Sequence, residues 1–158
     1  MTSYLSDTRI RSETQFWADR VHKLTSKIDD KNKLVNSLNS EIAAINATIT
    51  NVDYVLCRSN YNDYNNQINQ LIAERNQFKS KATENQLSSQ INDLKSKKAS
   101  CANKMKLIAN TNGFINEFMS ITEKTRNVNL ISSLIVDLKQ QRTAANKQRE
   151  YWRKQSLV

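Results

Sequence analysis

A long apolar repeat in the first third of the chain restricts its fold more than any other feature. Apolar positions recur in alternating steps of four and three residues from residue 10 to residue 56, and only Thr14 and Lys31 are polar among them. This spacing places the side chains on one stripe of an α-helix and is typical of a supercoiled seam. Because the stripe contacts water until another helix covers it, the repeat predicts a helix that packs against other helices.

The positions on this repeat that we expect to carry the interaction between helices or subunits form the predicted seam. Its members are Trp17, Val21, Leu24, Ile28, Val35, Leu38, Ile42, Ile45, Ile49, Val52 and Leu56.

Three further stripes follow the first one. After a turn predicted at Ser59 and Asn60, the second stripe comprises Tyr61, Tyr64, Ile68, Leu71, Arg75, Phe78 and Ala82. The third comprises Leu87, Ile91, Leu94, Lys98, Cys101, Met105 and Ile108. The last comprises Ile131, Leu134, Leu138, Gln141, Ala145, Gln148 and Trp152. Between the third and last stripes, the run from Asn110 to Gly113 offers the left-handed backbone that ends helices.

Glycine and proline, which sheets and tight catalytic turns use for special backbone angles, are nearly absent, with one Gly and no Pro. The sequence therefore predicts an all-α protein with a single domain over residues 1–158. We expect an elongated antiparallel helical bundle or coiled coil of three long helices, at about residues 10–57, 61–109 and 114–155.

A four-helix version is the alternative. Phe78 and Leu87 are nine residues apart, so they lie on opposite faces of an unbroken helix. The helix either turns back near Thr83 or changes the face that it buries. The two thiols distinguish the versions, because Cys57 and Cys101 are roughly 60 Å apart in the three-helix bundle but close together if the chain folds back.

The sequence lacks the patterns of catalytic and metal sites. His22 is the only histidine and stands at the edge of the stripe, and no glycine-rich phosphate loop, nucleophile motif or metal-ligand spacing occurs. We expect no enzymatic activity, no catalytic, cofactor-binding or metal-binding residues, and no small-molecule substrate.

Neither a signal peptide nor an apolar stretch of about 18 residues is visible. We therefore expect no membrane span, no secretion through a cleaved signal, and a location in the cytoplasm or within a macromolecular particle.

The formal net charge of +9 is unevenly distributed. Residues 1–90 contain 11 Lys and Arg against 10 acidic residues, whereas residues 91–158 contain 13 against 5. Clustered cations bind polyanions by releasing counterions, so a basic stripe on the last helix predicts an anion-binding surface. The five residues of this predicted basic stripe are Arg142, Lys147, Arg149, Arg153 and Lys154.

A thin bundle has much surface for its volume and gains stability by docking or oligomerising. These features favour a structural or assembly protein, a coiled-coil spacer, clamp or cement between subunits of a larger complex such as a virion or a cytoskeletal assembly. We expect its partners to be other protein subunits, in a homo- or hetero-oligomer. The alternative function is sequence-independent binding of nucleic acid through the basic stripe.

Overall fold

The protein folds into four α-helices. The computed structural model describes residues 6–77 and 80–157, and in this part of the chain there is no β-strand. The helices are α1 (Asp7–Thr48), α2 (Val52–Gln77), α3 (Lys81–Thr111) and α4 (Ile115–Gln155). The all-α prediction is confirmed. The prediction of three helices is wrong, and the four-helix alternative fits.

The chain divides into two compact units, and each is described by itself. The first unit consists of the described parts of Met1–Ile42 and Glu123–Val158, which belong to α1 and α4. The second unit is Ala43–Thr122, which contains the end of α1, the described residues of α2 and α3, and the beginning of α4.

In the first unit, α1 and α4 pack as an antiparallel pair. The guanidinium of Arg9 lies 5.5 Å from the centre of the Trp152 ring, near the beginning of α1 and the end of α4. At the other end of the pair, Glu41 and Lys124 form an ion pair of 3.3 Å. The residues buried between the two helices are Ile10, Leu24, Ile28, Ile135, Ala145 and Trp152.

In the second unit, α2 and α3 form an antiparallel hairpin. The Lys98 ammonium donates to Asn65 Oδ1 at 2.9 Å, and Arg75 donates to Ser88 Oγ at 3.2 Å. A residue later in α2 therefore contacts a residue earlier in α3, as expected for antiparallel helices. The residues buried in this unit are Ile49, Tyr54, Ile68, Leu87, Ile91, Met105 and Ala109.

The first helix ends at Thr48, before the turn predicted at Ser59 and Asn60. Asn51 explains the position of the break, because its Oδ1 accepts the backbone N–H of Tyr54 at 3.0 Å and so caps the first turn of α2. The pair Ser59 and Asn60 lies inside α2. Apolar spacing alone did not reveal this break because the cap is a single polar side chain.

The break between α2 and α3 lies between Gln77 and Lys81, before the predicted position at Thr83. Thr83 belongs to the first turn of α3, and the carbonyl of Ser80 accepts the N–H of Glu84 at 3.0 Å. Phe78, which we assigned to the second stripe, lies outside the described residues.

The break between α3 and α4 follows the Asn-Gly signal. Gly113 takes a φ of 80°, and the N–H of Phe114 reaches the carbonyl of Ala109 at 2.9 Å. This bond is characteristic of a Schellman motif, in which a left-handed residue closes the end of a helix. The motif places Phe114 against the core cluster of the second unit, which consists of Ile49, Tyr54 and Met105.

Candidate interaction surfaces

The first unit carries an open apolar groove along its helix pair. We call it the leucine groove, and it is lined by Leu34, Leu134, Leu138, Lys27, Asp30, Lys31, Asp137 and Gln141. Leu34 on α1 and Leu134 on α4 are 46% and 48% exposed. Leu130, one turn before Leu134, is 60% exposed. Two helices cover only one stripe of each other, so leucines beside that stripe stay in contact with water.

The charges around the leucine groove are mixed and unpaired. Lys27, Asp30 and Asp137 are exposed, and Lys31 is half-buried. Within residues 6–77 and 80–157, none of these four side chains takes part in an ion pair. An apolar strip bordered by unpaired charges of both signs is suited to a protein surface that offers leucines and complementary charges.

The predicted seam is covered as far as Ile49 and uncovered after it. Its nine members from Trp17 to Ile49 are all buried or half-buried. Val52 and Leu56, however, are 80% and 60% exposed, so they do not lie in the intramolecular seam. The break at residues 49–51 ends the first repeat, and Tyr54 is the buried residue of the next turn.

Val52 and Leu56 instead form a small exposed apolar patch at the beginning of α2, together with the less exposed Val55. These three residues are spaced by three and four positions and therefore share one side of the helix. This patch is a second candidate surface.

The predicted basic stripe does not form one surface. Arg142 and Arg149 are half-buried, and Arg142 donates to Thr25 Oγ1 of α1 at 3.5 Å. Arg153 is held by Glu150, with 2.8 Å between nitrogen and oxygen. Only Lys147 and Lys154 remain exposed without an ion pair in the described part of the chain.

The reason for this division is that the buried stripe of α4 matches the predicted one only in part. Ile131, Leu138, Ala145 and Trp152 are buried or half-buried as predicted, but the positions between them are shifted by one residue. Ile135 is buried and Arg142 and Arg149 are half-buried, whereas Leu134, Gln141 and Gln148 are exposed. Arginine covers apolar surface with its aliphatic stem while its guanidinium reaches polar atoms, so it can occupy a seam position. The apolar spacing assigned Leu134 to the seam of α4 and so did not predict that this leucine is exposed. A leucine directly beside the buried stripe of α4 was the signal that could have located the groove.

Tyr54 organises the core of the second unit rather than a binding site. It is 2% exposed, and its ring meets Phe114 and Phe118 edge to face at 5.3 and 6.4 Å between centres. Arg58 lies 5.9 Å from the centre of the same ring. Burial raises the pKa of Tyr54 above its ordinary value of 10.0, and the positive charge of Arg58 opposes this shift.

The remaining side chains that could react or bind a metal ion lie apart from one another. Cys57 and Cys101 are free, half-buried thiols of the second unit, and His22 is exposed on α1. In the part of the chain that the structure describes, no three His, Cys, Asp or Glu side chains are grouped to hold a metal ion. None of the described helices combines the length and apolar character needed to cross a membrane.

Comparison of the chain with models of known families, with curated proteins and with solved structures found no match. The function is therefore argued from the surfaces alone.

Proposed function

We propose that this protein is a non-enzymatic structural or assembly protein that acts as a coiled-coil spacer, clamp or cement between subunits of a larger complex. The observation that supports the proposal is the leucine groove, where Leu34 and Leu134 are 46% and 48% exposed, with the 60% exposed Leu130 one turn before Leu134. Contiguous exposed leucines bordered by charges are typical of protein interaction sites. A virion or a cytoskeletal assembly is the kind of complex that uses such helical subunits.

The groove suits another helix better than a small molecule. It is open along its length, and its apolar lining consists of three leucines from two adjacent helices. Small-molecule sites enclose most of their ligand and converge several polar groups on it. A helix that offers apolar residues at spacings of three and four would cover the leucines and complete a helical bundle.

Site-specific photo-crosslinking tests this proposal. A benzoylphenylalanine replaces Leu134 in the protein expressed in its source cell, and the same residue replaces Gln140, an exposed position of α4 outside the groove, as the matched control. We expect ultraviolet light to join the Leu134 derivative to another protein subunit and the Gln140 derivative to far less. Equal crosslinking at both positions, or crosslinking of neither, would contradict the proposal.

A second candidate function is sequence-independent binding of nucleic acid. It is favoured by one exposed face of α4 that presents Lys147, Tyr151 and Lys154 at spacings of four and three. Lysines bind phosphates and an exposed tyrosine can stack on a base. This face is narrower than the predicted basic stripe, because Arg142 and Arg153 have other contacts and Arg149 is half-buried. The assembly function is therefore the better supported of the two.

A further inference from the structure

We infer that the occupant of the leucine groove is the leucine groove of a second copy of this chain, so that two first units pair face to face through α1 and α4. This inference rests on the proposed function and specifies its partner. The residues that share a level of the helix pair decide whether the surface is complementary to itself.

Two contacts between the helices fix these levels, Glu41 with Lys124 and Thr25 with Arg142. They place Asp137 level with residues 28–30 of α1, between Lys27 and Lys31, and they place Leu134 level with residues 31–33, within one turn of Leu34. The α1 edge carries two lysines and one aspartate, and the α4 edge carries a single charge, Asp137. The groove is therefore cationic along one edge and anionic along the other.

A two-fold axis parallel to the groove brings opposite edges together. Under this symmetry α1 of one copy faces α4 of the second copy at the same level, so Leu34 lies within one turn of Leu134 of the second copy, and Lys27 and Lys31 lie on either side of its Asp137. The interface is isologous, and each favourable contact occurs twice. Asp137, which has no ion pair within the described part of one chain, then faces the lysines on the α1 edge of the second copy.

The other face-to-face arrangement lacks this complementarity. A two-fold axis across the groove would place α1 against α1 and α4 against α4. Asp137 would then face α4 of the second copy, whose lining residues Leu134, Leu138 and Gln141 include no cation. A carboxylate pressed against leucine loses its water without gaining a partner, which disfavours this geometry.

The size of the groove sets the expected affinity. From Leu134 to Gln141 it extends about 10 Å along α4 at about 1.5 Å per residue. Stable complexes commonly bury about 800 Å² on each partner, and a groove of this length provides less. We therefore expect a reversible dimer with a Kd on the order of 10 μM, which corresponds to a modest interface.

Sedimentation velocity of the full chain over a range of concentrations tests the dimer. We expect the mass of the wild-type protein to rise from that of a monomer to that of a dimer as its concentration increases. The Leu134→Gln variant should remain monomeric up to a concentration at least tenfold higher. Leu107→Gln changes a leucine of the second unit that is 66% exposed, against 48% for Leu134, and should dimerise like the wild type. Circular dichroism establishes that each variant is folded. A wild-type chain that remains monomeric throughout would overturn the inference.

A charge exchange tests the arrangement itself. The Asp137→Lys variant and the Lys27→Glu, Lys31→Glu double variant should each fail to self-associate, because like charges would face each other. Mixed in equal amounts, they should form a heterodimer, since every lysine then meets a carboxylate. A mixture that remains monomeric would overturn the proposed pairing. If the chain is monomeric while Leu134 still crosslinks to another subunit in cells, the assembly function stands and the second copy is not the occupant.

Discussion

At the residue scale, Tyr54 shows how one side chain defines a core that the apolar repeat did not identify. Its ring lies against Phe114 and Phe118 from the α3–α4 junction and against Met105 in the same buried cluster. Edge-to-face aromatic pairs add stabilisation to the burial of apolar area. Because the helices of the second unit each contribute to this cluster, the loss of one ring removes contacts with several elements at once.

Removal of the Tyr54 ring should therefore lower the stability of the folded protein. We expect Tyr54→Ala to lower the free energy of unfolding by about 3–5 kcal/mol, the range for large aromatic residues in cores. Tyr151→Ala is the matched control, because Tyr151 is 51% exposed. The control should change the free energy by about 0.5 kcal/mol. Urea denaturation followed by circular dichroism measures both values, and equal losses in the two variants would show that the cluster is not a core.

The hydroxyl of Tyr54 also predicts a pH dependence. Burial raises its pKa in the folded protein, so the folded state holds the proton more tightly than the unfolded state. Its contribution to stability is fully present below the unfolded pKa of about 10 and is lost as the pH rises through the higher folded-state pKa.

We expect the free energy of unfolding to fall more steeply above pH 10 in the wild type than in Tyr54→Phe, which has no hydroxyl to titrate. Tyr151→Phe should follow the wild type. Denaturation curves collected between pH 8 and pH 11.5 compare the three proteins. Parallel pH profiles for wild type and Tyr54→Phe would contradict the assignment of a buried, neutral phenol.

At the scale of the elements, the positions of the helix ends depend on single polar contacts. The break before α2 is stabilised by Asn51, whose side chain accepts the N–H of Tyr54 at 3.0 Å. We expect Asn51→Ala to cost about 1 kcal/mol, the usual value of an N-cap. Asn60→Ala, at an exposed position inside α2, should be neutral or slightly stabilising because alanine favours helices. Thermal unfolding distinguishes them, and an equal effect of both substitutions would rule out the cap.

The hairpin of α2 and α3 makes a separate prediction about the two thiols. Cys57 packs against the cluster that contains Met105, and Cys101 is one turn from Met105 on α3. One turn along the axis and an interhelical distance of about 8–10 Å place the two sulfurs on the order of 10 Å apart.

We therefore expect a short bismaleimide to join Cys57 and Cys101 within one chain, giving a faster-migrating band on a denaturing gel. Cys57→Ser and Cys101→Ser should each abolish this band. If the product appears only as a crosslinked dimer of two chains, the hairpin is not intramolecular. A continuous helix over residues 61–109 would keep the thiols too far apart for any intramolecular product.

The sequence predicted those parts of the helices that depend on repeated apolar spacing. Every predicted seam residue from Trp17 to Ile49 is covered, because a 3.5-residue period is averaged over many turns and tolerates single exceptions. The breaks and the stripe of α4 were harder to predict. Asn51 acts through one hydrogen bond, and Arg142 occupies a seam position with its aliphatic stem, so neither carries an apolar signal.

At the scale of the whole molecule, the charge of +9 and the exposed leucines make different predictions about binding. A net positive charge attracts any polyanion, and this attraction weakens steeply with salt. A dedicated nucleic-acid site would instead concentrate the effect in a few residues. The described structure leaves Lys147 and Lys154 as the exposed, unpaired part of the predicted basic stripe.

If the protein is a structural component, polyanion binding should follow net charge and not one helix face. We expect the Lys147→Gln, Lys154→Gln double variant to lose the same affinity for a single-stranded or duplex oligonucleotide as the Lys104→Gln, Lys106→Gln double variant. Both pairs are exposed, and each double variant lowers the net charge equally. Fluorescence anisotropy at low and at physiological salt measures these affinities. A loss confined to Lys147 and Lys154, with a shallower dependence on salt than the wild type, would instead establish this face of α4 as a phosphate-binding surface.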